Sequence, residues 1–211
     1  MKITIIGASA GVGLSTTKRA IERGHQVTTL SRSEISLPKT DNLKMQIGNA
    51  LRKEDLLQSI ASADAVIIAL GTGKNMKATT LYSDFAKLLV EVQKQTKTSI
   101  PFIILTGFGA GESKNYLNGF FMRMFFKFLL NKVYADKTLM EEIISKSDIN
   151  WEIVRPGLLK DKPLTEKYRV EIKLFKGMKI GSINREDVAD FMVKQVENPT
   201  ELKKYPALSN L

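Results

Sequence analysis

KITIIGASAGVGLSTTKRA (residues 2–20) decides how the rest of the chain is read. An apolar, β-branched run, Ile3 to Ile6, leads into a turn with glycines at 7, 11 and 13, and a helix-like stretch follows from Val12 to Arg23. Glycine supplies the positive φ angles that a strand-to-helix turn needs. Missing side chains also let backbone amides at a helix N-terminus approach a phosphate. The turn therefore fits a dinucleotide, with Gly7, Ser9, Ala10, Gly11, Val12 and Gly13 as its contacts. Its spacing is G-x-x-x-G-x-G, or G-x-x-[GA]-x-x-G through Gly7, Ala10 and Gly13, rather than the dehydrogenase G-x-G-x-x-G.

Further along, short β-branched runs alternate with helical patterns: strands at 25–32, 43–49, 65–71, 101–107 and 151–157, helices at 52–62, 80–94 and 185–198, and a long helix between the last two strands. Such alternation predicts a doubly wound parallel α/β sheet of Rossmann type, with helices on both faces and ligands at the carboxyl ends of the strands. The 211 residues suit one domain, 1–211, with the basic, Pro- and Gly-containing stretch 158–184 as a substrate-side elaboration.

The end of the second strand bears on the choice of nucleotide. NAD sites usually carry an acidic residue about 20 residues beyond the glycines, to accept from the ribose 2′-OH. Here the strand ends Leu30-Ser31-Arg32-Ser33, with no carboxylate before Glu34. A guanidinium pairs with a 2′-phosphate through its forked donors. NADP(H) is therefore expected in preference to NAD(H), with Arg32 as selector and Ser31 or Ser33 assisting.

Composition excludes several chemistries. The chain has no cysteine and one histidine, which removes disulfides, thiolate metal sites and cysteine nucleophiles and disfavours a Ser-His-Asp triad; no metal site is expected. His25, in Gly24-His25-Gln26, reads as a surface loop residue. Met1 runs straight into a strand without signal-peptide flanks, so a cytoplasmic location is expected. Net charge is +10, and residues 160–185 hold eight Lys/Arg against three Asp/Glu. The charges are scattered without an aromatic-lined groove, so they read as solubilising rather than as a nucleic-acid surface.

GASAGVG, LSR, DAVIIALGTG, LTGFGAGES, YADKTLMEEII, INWEIVRPGLL and REDVADFM together resemble the atypical short-chain dehydrogenase/reductase superfamily, in its NAD(P)H-binding, NmrA-like and flavin/biliverdin reductase-like branch. The resemblance runs from Ile3 to about Val196. It implies that Ala69, Leu70 and Gly71 line the cofactor and that Arg155, Pro156, Gly157 and Leu158 reach its nicotinamide end. Asn49 stands where such families commonly carry an Asp beside the adenine, and an amide serves the same hydrogen bonding.

The best-known branch uses Ser, Tyr and Lys with Tyr-x-x-x-Lys spacing, in which Tyr gives a proton to the substrate carbonyl. That spacing does not occur here. Tyr134 and Lys137 are three apart and share a helix face, and Thr106 ends the fifth strand before Gly107. These are the candidate catalytic residues, with Thr106 and Lys137 also counted as cofactor contacts. Two functions follow as expectations. One is an NADP(H)-dependent reductase of a small carbonyl, quinone or flavin-type acceptor. The other is a noncatalytic NADP(H)-binding redox sensor of NmrA-like type.

FFMRMFFKFLLN (120–131) is apolar except for the stripe Arg123, Lys127 and Asn131. Eleven residues of helix span about 16 Å, short of a bilayer core of roughly 30 Å. Core packing, a wall of the substrate pocket, a homodimer interface and membrane contact are the readings this stretch leaves open.

Overall fold

A computed structural model describes residues 1–73, 77–117, 124 and 130–211; the stretch 120–131 thus lies mostly outside the described residues. The first six strands are β1 (Lys2–Ile6), β2 (Gln26–Ser31), β3 (Leu43–Ile47), β4 (Ala65–Ile68), β5 (Pro101–Leu105) and β6 (Asn150–Pro156). They lie in the order 3-2-1-4-5-6, and every neighbouring pair among them is parallel. The strand order reverses between β1 and β4, which is where open α/β sheets hold ligands.

The helices are α1 (Gly11–Glu22), α2 (Lys53–Ile60), α3 (Leu81–Thr96), α4 (Asn131–Ser145) and α5 (Arg185–Glu197), with a 3-10 turn at Gly111–Tyr116. Alternation along β1 sends Ile3 and Ile5 to a core with Val12 and Ala20 of α1 and Val188, Phe191 and Met192 of α5. Ile6 points the other way, to a core with Leu56 of α2, Phe85 and Leu89 of α3 and Met140 and Ile144 of α4. A strand buried on both faces reads as a continuous apolar run, as AVII in β4 does.

Beyond β6 the chain departs from the expected plan. The stretch 158–184 carries three strands, β7 (Leu158–Lys160), β8 (Tyr168–Glu171) and β9 (Ser182–Asn184), and a final strand, β10 (Ala207–Asn210), follows α5. β10 extends the sheet parallel to β6, and β8 closes its edge antiparallel to β10. β7 and β9 form a separate parallel pair.

His25 corrects the surface-loop expectation. It is buried, and its Nε2 lies 2.8 Å from Glu197 Oε1, which also meets Arg23 Nε at 2.7 Å. The end of α5 is thereby tied to the start of β2. Asp190 does the same further along the α1–α5 seam, meeting Arg19 Nη2 and Lys194 Nζ, each at 2.7 Å. Among the described residues, no helix is long and apolar enough to cross a membrane.

Candidate functional site

The turn after β1 can exist only as glycine at two of its positions. An ideal Cβ on Gly7, whose φ is +87°, would lie 2.6 Å from the carbonyl oxygen of Ala69, and one on Gly13 would lie 2.2 Å from the carbonyl oxygen of Gly7. Both glycines let α1 start directly against β1 and β4. Between them Ala8 is buried, and Ser9, Ala10 and Gly11 are exposed. Intrahelical bonding begins with Leu14 N–H to the Ala10 carbonyl, so the amides of Gly11, Val12 and Gly13 precede the ladder. An open backbone crest with helix-start amides fits a pyrophosphate in charge and in shape.

Neighbouring strand ends deliver the other predicted contacts to the same edge. Gly7 N–H bonds the Leu30 carbonyl, Ala69 N–H the Ile6 carbonyl and Gly48 N–H the Ser31 carbonyl. Arg32 and Ser33 are exposed just past β2, and Ser31 is buried with its Oγ donating to the Ser33 carbonyl at 2.7 Å. Asn49 is exposed, and its Oδ1 accepts from Leu51 N–H at 3.0 Å in the turn into α2. Gly71 is exposed, Leu70 half-buried and Ala69 buried. Pro156 is buried and Leu158 exposed, while an ideal Cβ on Gly157 would meet the Gly181 carbonyl oxygen at 2.1 Å. Gly157 is therefore needed for packing whatever else it does.

A polar cluster closes the site at the end of β5. Lys137 Nζ donates to the Thr106 carbonyl at 2.5 Å and lies 5.0 Å and 5.3 Å from the ring centres of Tyr134 and Tyr82. Burial lowers the Lys137 ammonium to a pKa of about 8, an effect partly offset by the charge of Glu141. Burial, with lesser contributions from Tyr82 and Glu141, pushes the Tyr134 phenol up to about 12. Tyr82 is held by the Asp136 carboxylate, which accepts from the amides of Tyr82 and Ser83 at 2.9 and 3.2 Å and so caps α3. Tyr134 and Lys137 thus do share one face of α4 and meet.

The Thr106 hydroxyl and the Arg155 side chain are both taken up by contacts within the protein. Thr106 is buried, and its hydroxyl donates to Glu141 Oε1 at 2.6 Å; only its carbonyl faces Lys137. The Arg155 side chain is held in an ion cluster. It is 1% exposed, gripped by Glu112 at 2.7 and 3.0 Å and by Glu141 at 3.1 and 2.7 Å, with the Tyr205 ring centre 4.1 Å away. Burial works against its charge, but the two carboxylates outweigh it and hold its pKa above the ordinary value. Beside this ion cluster lies a cleft of about 330 Å³, lined in part by Lys114, Thr138 and Ser145.

Glu141 was findable from the sequence, because it stands four residues after Lys137 on one helix. Tyr82 and Asp136 come from segments 54 residues apart and carry no local signal.

Residues 7–199 match the family model described as NAD(P)H-binding. The chain is 26% identical over 227 aligned positions to a probable pinoresinol-lariciresinol reductase 3 from Arabidopsis thaliana, covering 99% of this chain and 67% of that protein. Among solved structures it resembles a wide-type short-chain dehydrogenase/reductase from Veillonella parvula in complex with NADP, with a TM-score of 0.83, 14% identity and 99% and 94% of the two chains covered. It also resembles ChuY, an anaerobillin reductase from Escherichia coli, with a TM-score of 0.76, 20% identity and 100% and 97% covered. The family match spans the glycine turn, the strands from β2 to β6 and α5, and the chain belongs to the NAD(P)H-binding family.

Proposed function

We propose that the protein is an NADP(H)-dependent reductase of a small carbonyl, quinone or flavin-type acceptor. The observation that carries this reading is the ammonium of Lys137, held at the carboxyl end of β5 by the Thr106 carbonyl and two aromatic rings. A cation kept partly out of water beside the ligand-binding edge favours charge that develops on an acceptor oxygen or nitrogen. With a pKa of about 8, Lys137 can also release a proton near neutral pH, which Tyr134, at about 12, does far less readily. We assign Lys137 as the proton donor and Tyr134 as the hydroxyl that orients the acceptor. Thr106 contributes its carbonyl, not its hydroxyl.

The bound dinucleotide would supply a hydride. Gly7, Ser9, Ala10, Gly11, Val12 and Gly13 would hold its pyrophosphate, Arg32 with Ser31 and Ser33 the 2′-phosphate, Asn49 the adenine side, and Ala69, Leu70, Gly71, Pro156, Gly157 and Leu158 the rest. The NADP complex of the Veillonella relative and the reductase name of ChuY support the cofactor and the reaction class.

A panel of quinones, flavins and aldehydes with NADPH tests the reading. Steady NADPH oxidation that falls in Lys137→Ala supports it, and tight NADPH binding with no turnover on the whole panel overturns it. The second outcome would favour a noncatalytic redox sensor, a reading to which the weakly acidic Tyr134 phenol lends support.

A further inference from the structure

We infer that Arg185 is a cofactor-binding residue on the pyrophosphate side, restrained by Asp161 until the dinucleotide arrives. The inference rests on reading residues 7–13 as the phosphate turn. None of those seven residues carries a charged side chain, so the turn itself offers a pyrophosphate only amides and the Ser9 hydroxyl. Arg185 is the first residue of α5, and its Nε is the heavy atom nearest to where a Gly11 side chain would begin, 3.7 Å from that ideal Cβ. A guanidinium therefore stands over the open crest of the turn, at the first residue of α1.

The surrounding contacts hold it there. Ser15 Oγ donates to Glu186 Oε1 at 2.8 Å, joining the start of α5 to α1 and turning the Glu186 carboxylate toward that helix. Asp187 accepts from Asn184 Nδ2, from the amides of Thr165 and Glu166 and from the Thr165 hydroxyl, which fixes the 161–166 stretch against the same turn of α5. A cavity of about 280 Å³ opens between these segments, with Ser15, Asp161, Arg185 and Glu186 in its wall.

Asp161 meets Arg185 through Nη1 alone, at 2.7 Å, and its side chain is 87% exposed. A single-point pair with a solvated carboxylate is weak, whereas a guanidinium on a phosphate makes two charge-assisted bonds. A pyrophosphate on the turn would draw Arg185 from Asp161 toward Gly11. Asp161 acts in this scheme as a competitor that lowers dinucleotide affinity.

The test measures dissociation constants for NADPH, NADH and 2′-AMP in the wild type, Arg185→Gln, Arg185→Lys and Asp161→Asn, with melting curves to confirm folding. Arg185→Gln should weaken both dinucleotides alike, by about tenfold or more, and leave 2′-AMP, which lacks a pyrophosphate, unchanged. Arg185→Lys should recover part of the loss, and Asp161→Asn should tighten both dinucleotides by about two- to fivefold. Wild-type affinity for both dinucleotides in Arg185→Gln overturns the role of Arg185 while leaving the phosphate turn intact. Equal weakening of 2′-AMP also overturns it, and unchanged affinity in Asp161→Asn overturns the competition. A wild type that binds neither dinucleotide overturns the phosphate turn as well.

Discussion

The phenolic oxygen of Tyr134 occupies the space in which a side chain at residue 107 would have to begin: an ideal Cβ on Gly107 would lie 2.6 Å from it. The φ of Gly107 is +153°, which L side chains rarely adopt. The missing side chain at Gly107 is thus what admits the Tyr134 hydroxyl. Gly107→Ser should force Tyr134 aside and strain the turn. Turnover should drop at least about tenfold, the order expected for a displaced catalytic group, and the melting temperature should fall. Steady-state rates and a melting curve check both; unchanged turnover would show that the position of Tyr134 does not matter.

Lys137 makes the rate depend on pH. Its ammonium has a pKa of about 8, so the charged form prevails below that value and is lost above it. If the ammonium donates the proton, kcat should be level on the acid side and fall as pH rises through about 8. Lys137→Arg should keep the charge, because a guanidinium stays protonated, and should carry no such alkaline limb. Lys137→Ala should lose about a hundredfold in rate, the usual scale of general acid catalysis.

Glu141 joins two parts of the site, since it accepts from Thr106 and holds Arg155. Arg155 and Glu141 are both almost wholly buried, with side chains 1% and 3% exposed. Breaking a buried pair by removing one charge costs about 3 kcal/mol or more. Glu141→Gln should lower stability on that order. The same carboxylate raises the pKa of Lys137, so its loss should also move the alkaline limb of the rate profile to lower pH. Chemical denaturation and a pH–rate profile of the one variant read the two effects separately.

What was legible in the sequence and what was not has a physical basis. β1, β4 and β5 are buried on both faces and write themselves as the runs ITII, AVII and FIIL, and the glycines at 7 and 13 are forced by backbone contact. β8 and β10 are short strands of four residues at the end of the sheet, and neither YRVE nor ALSN forms an apolar run. Arg155 sits inside a motif whose resemblance pointed to the cofactor. Its partners Glu112 and Glu141, 43 and 14 residues away, decide where the side chain goes, and pairings at that distance leave no periodic trace. The burial of His25 has no local signature for the same reason, as its partner Glu197 is 172 residues distant.

Arg32 is exposed one residue beyond β2, the strand that neighbours β1 and its glycine turn. If it pairs with a 2′-phosphate, Arg32→Ala should raise the dissociation constant for NADPH about tenfold or more, the worth of a charge-assisted pair. The constant for NADH, which lacks that phosphate, should change by less than about twofold. Titration of both dinucleotides gives the comparison, and equal changes would remove Arg32 as the selector. Arg185→Gln should give the opposite pattern, affecting both, so the two arginines are told apart by one pair of ligands.

Glu152 sets a pH dependence of stability away from the site. It lies in β6 beside Ile103, wholly buried, and among the described residues neither carboxyl oxygen has a hydrogen-bond partner. Burial, reinforced by repulsion from Glu201 and partly offset by Lys204, pushes its pKa up to about 8 from an ordinary 4.5. The folded state therefore keeps a proton that the unfolded chain has released. Across the window from about 4.5 to about 8 the unfolded form binds fewer protons, so stability must fall as pH rises. Glu152→Gln keeps the shape of the neutral acid and removes its titration. Its melting temperature should match the wild type near pH 4 and exceed it by about ten degrees or more near pH 9, since moving a pKa from 4.5 to about 8 is worth about 5 kcal/mol and about 1 kcal/mol is worth 2–4 °C in a chain of this size. A difference that stays constant across that range would mean that Glu152 titrates in the folded protein as it does in the unfolded chain.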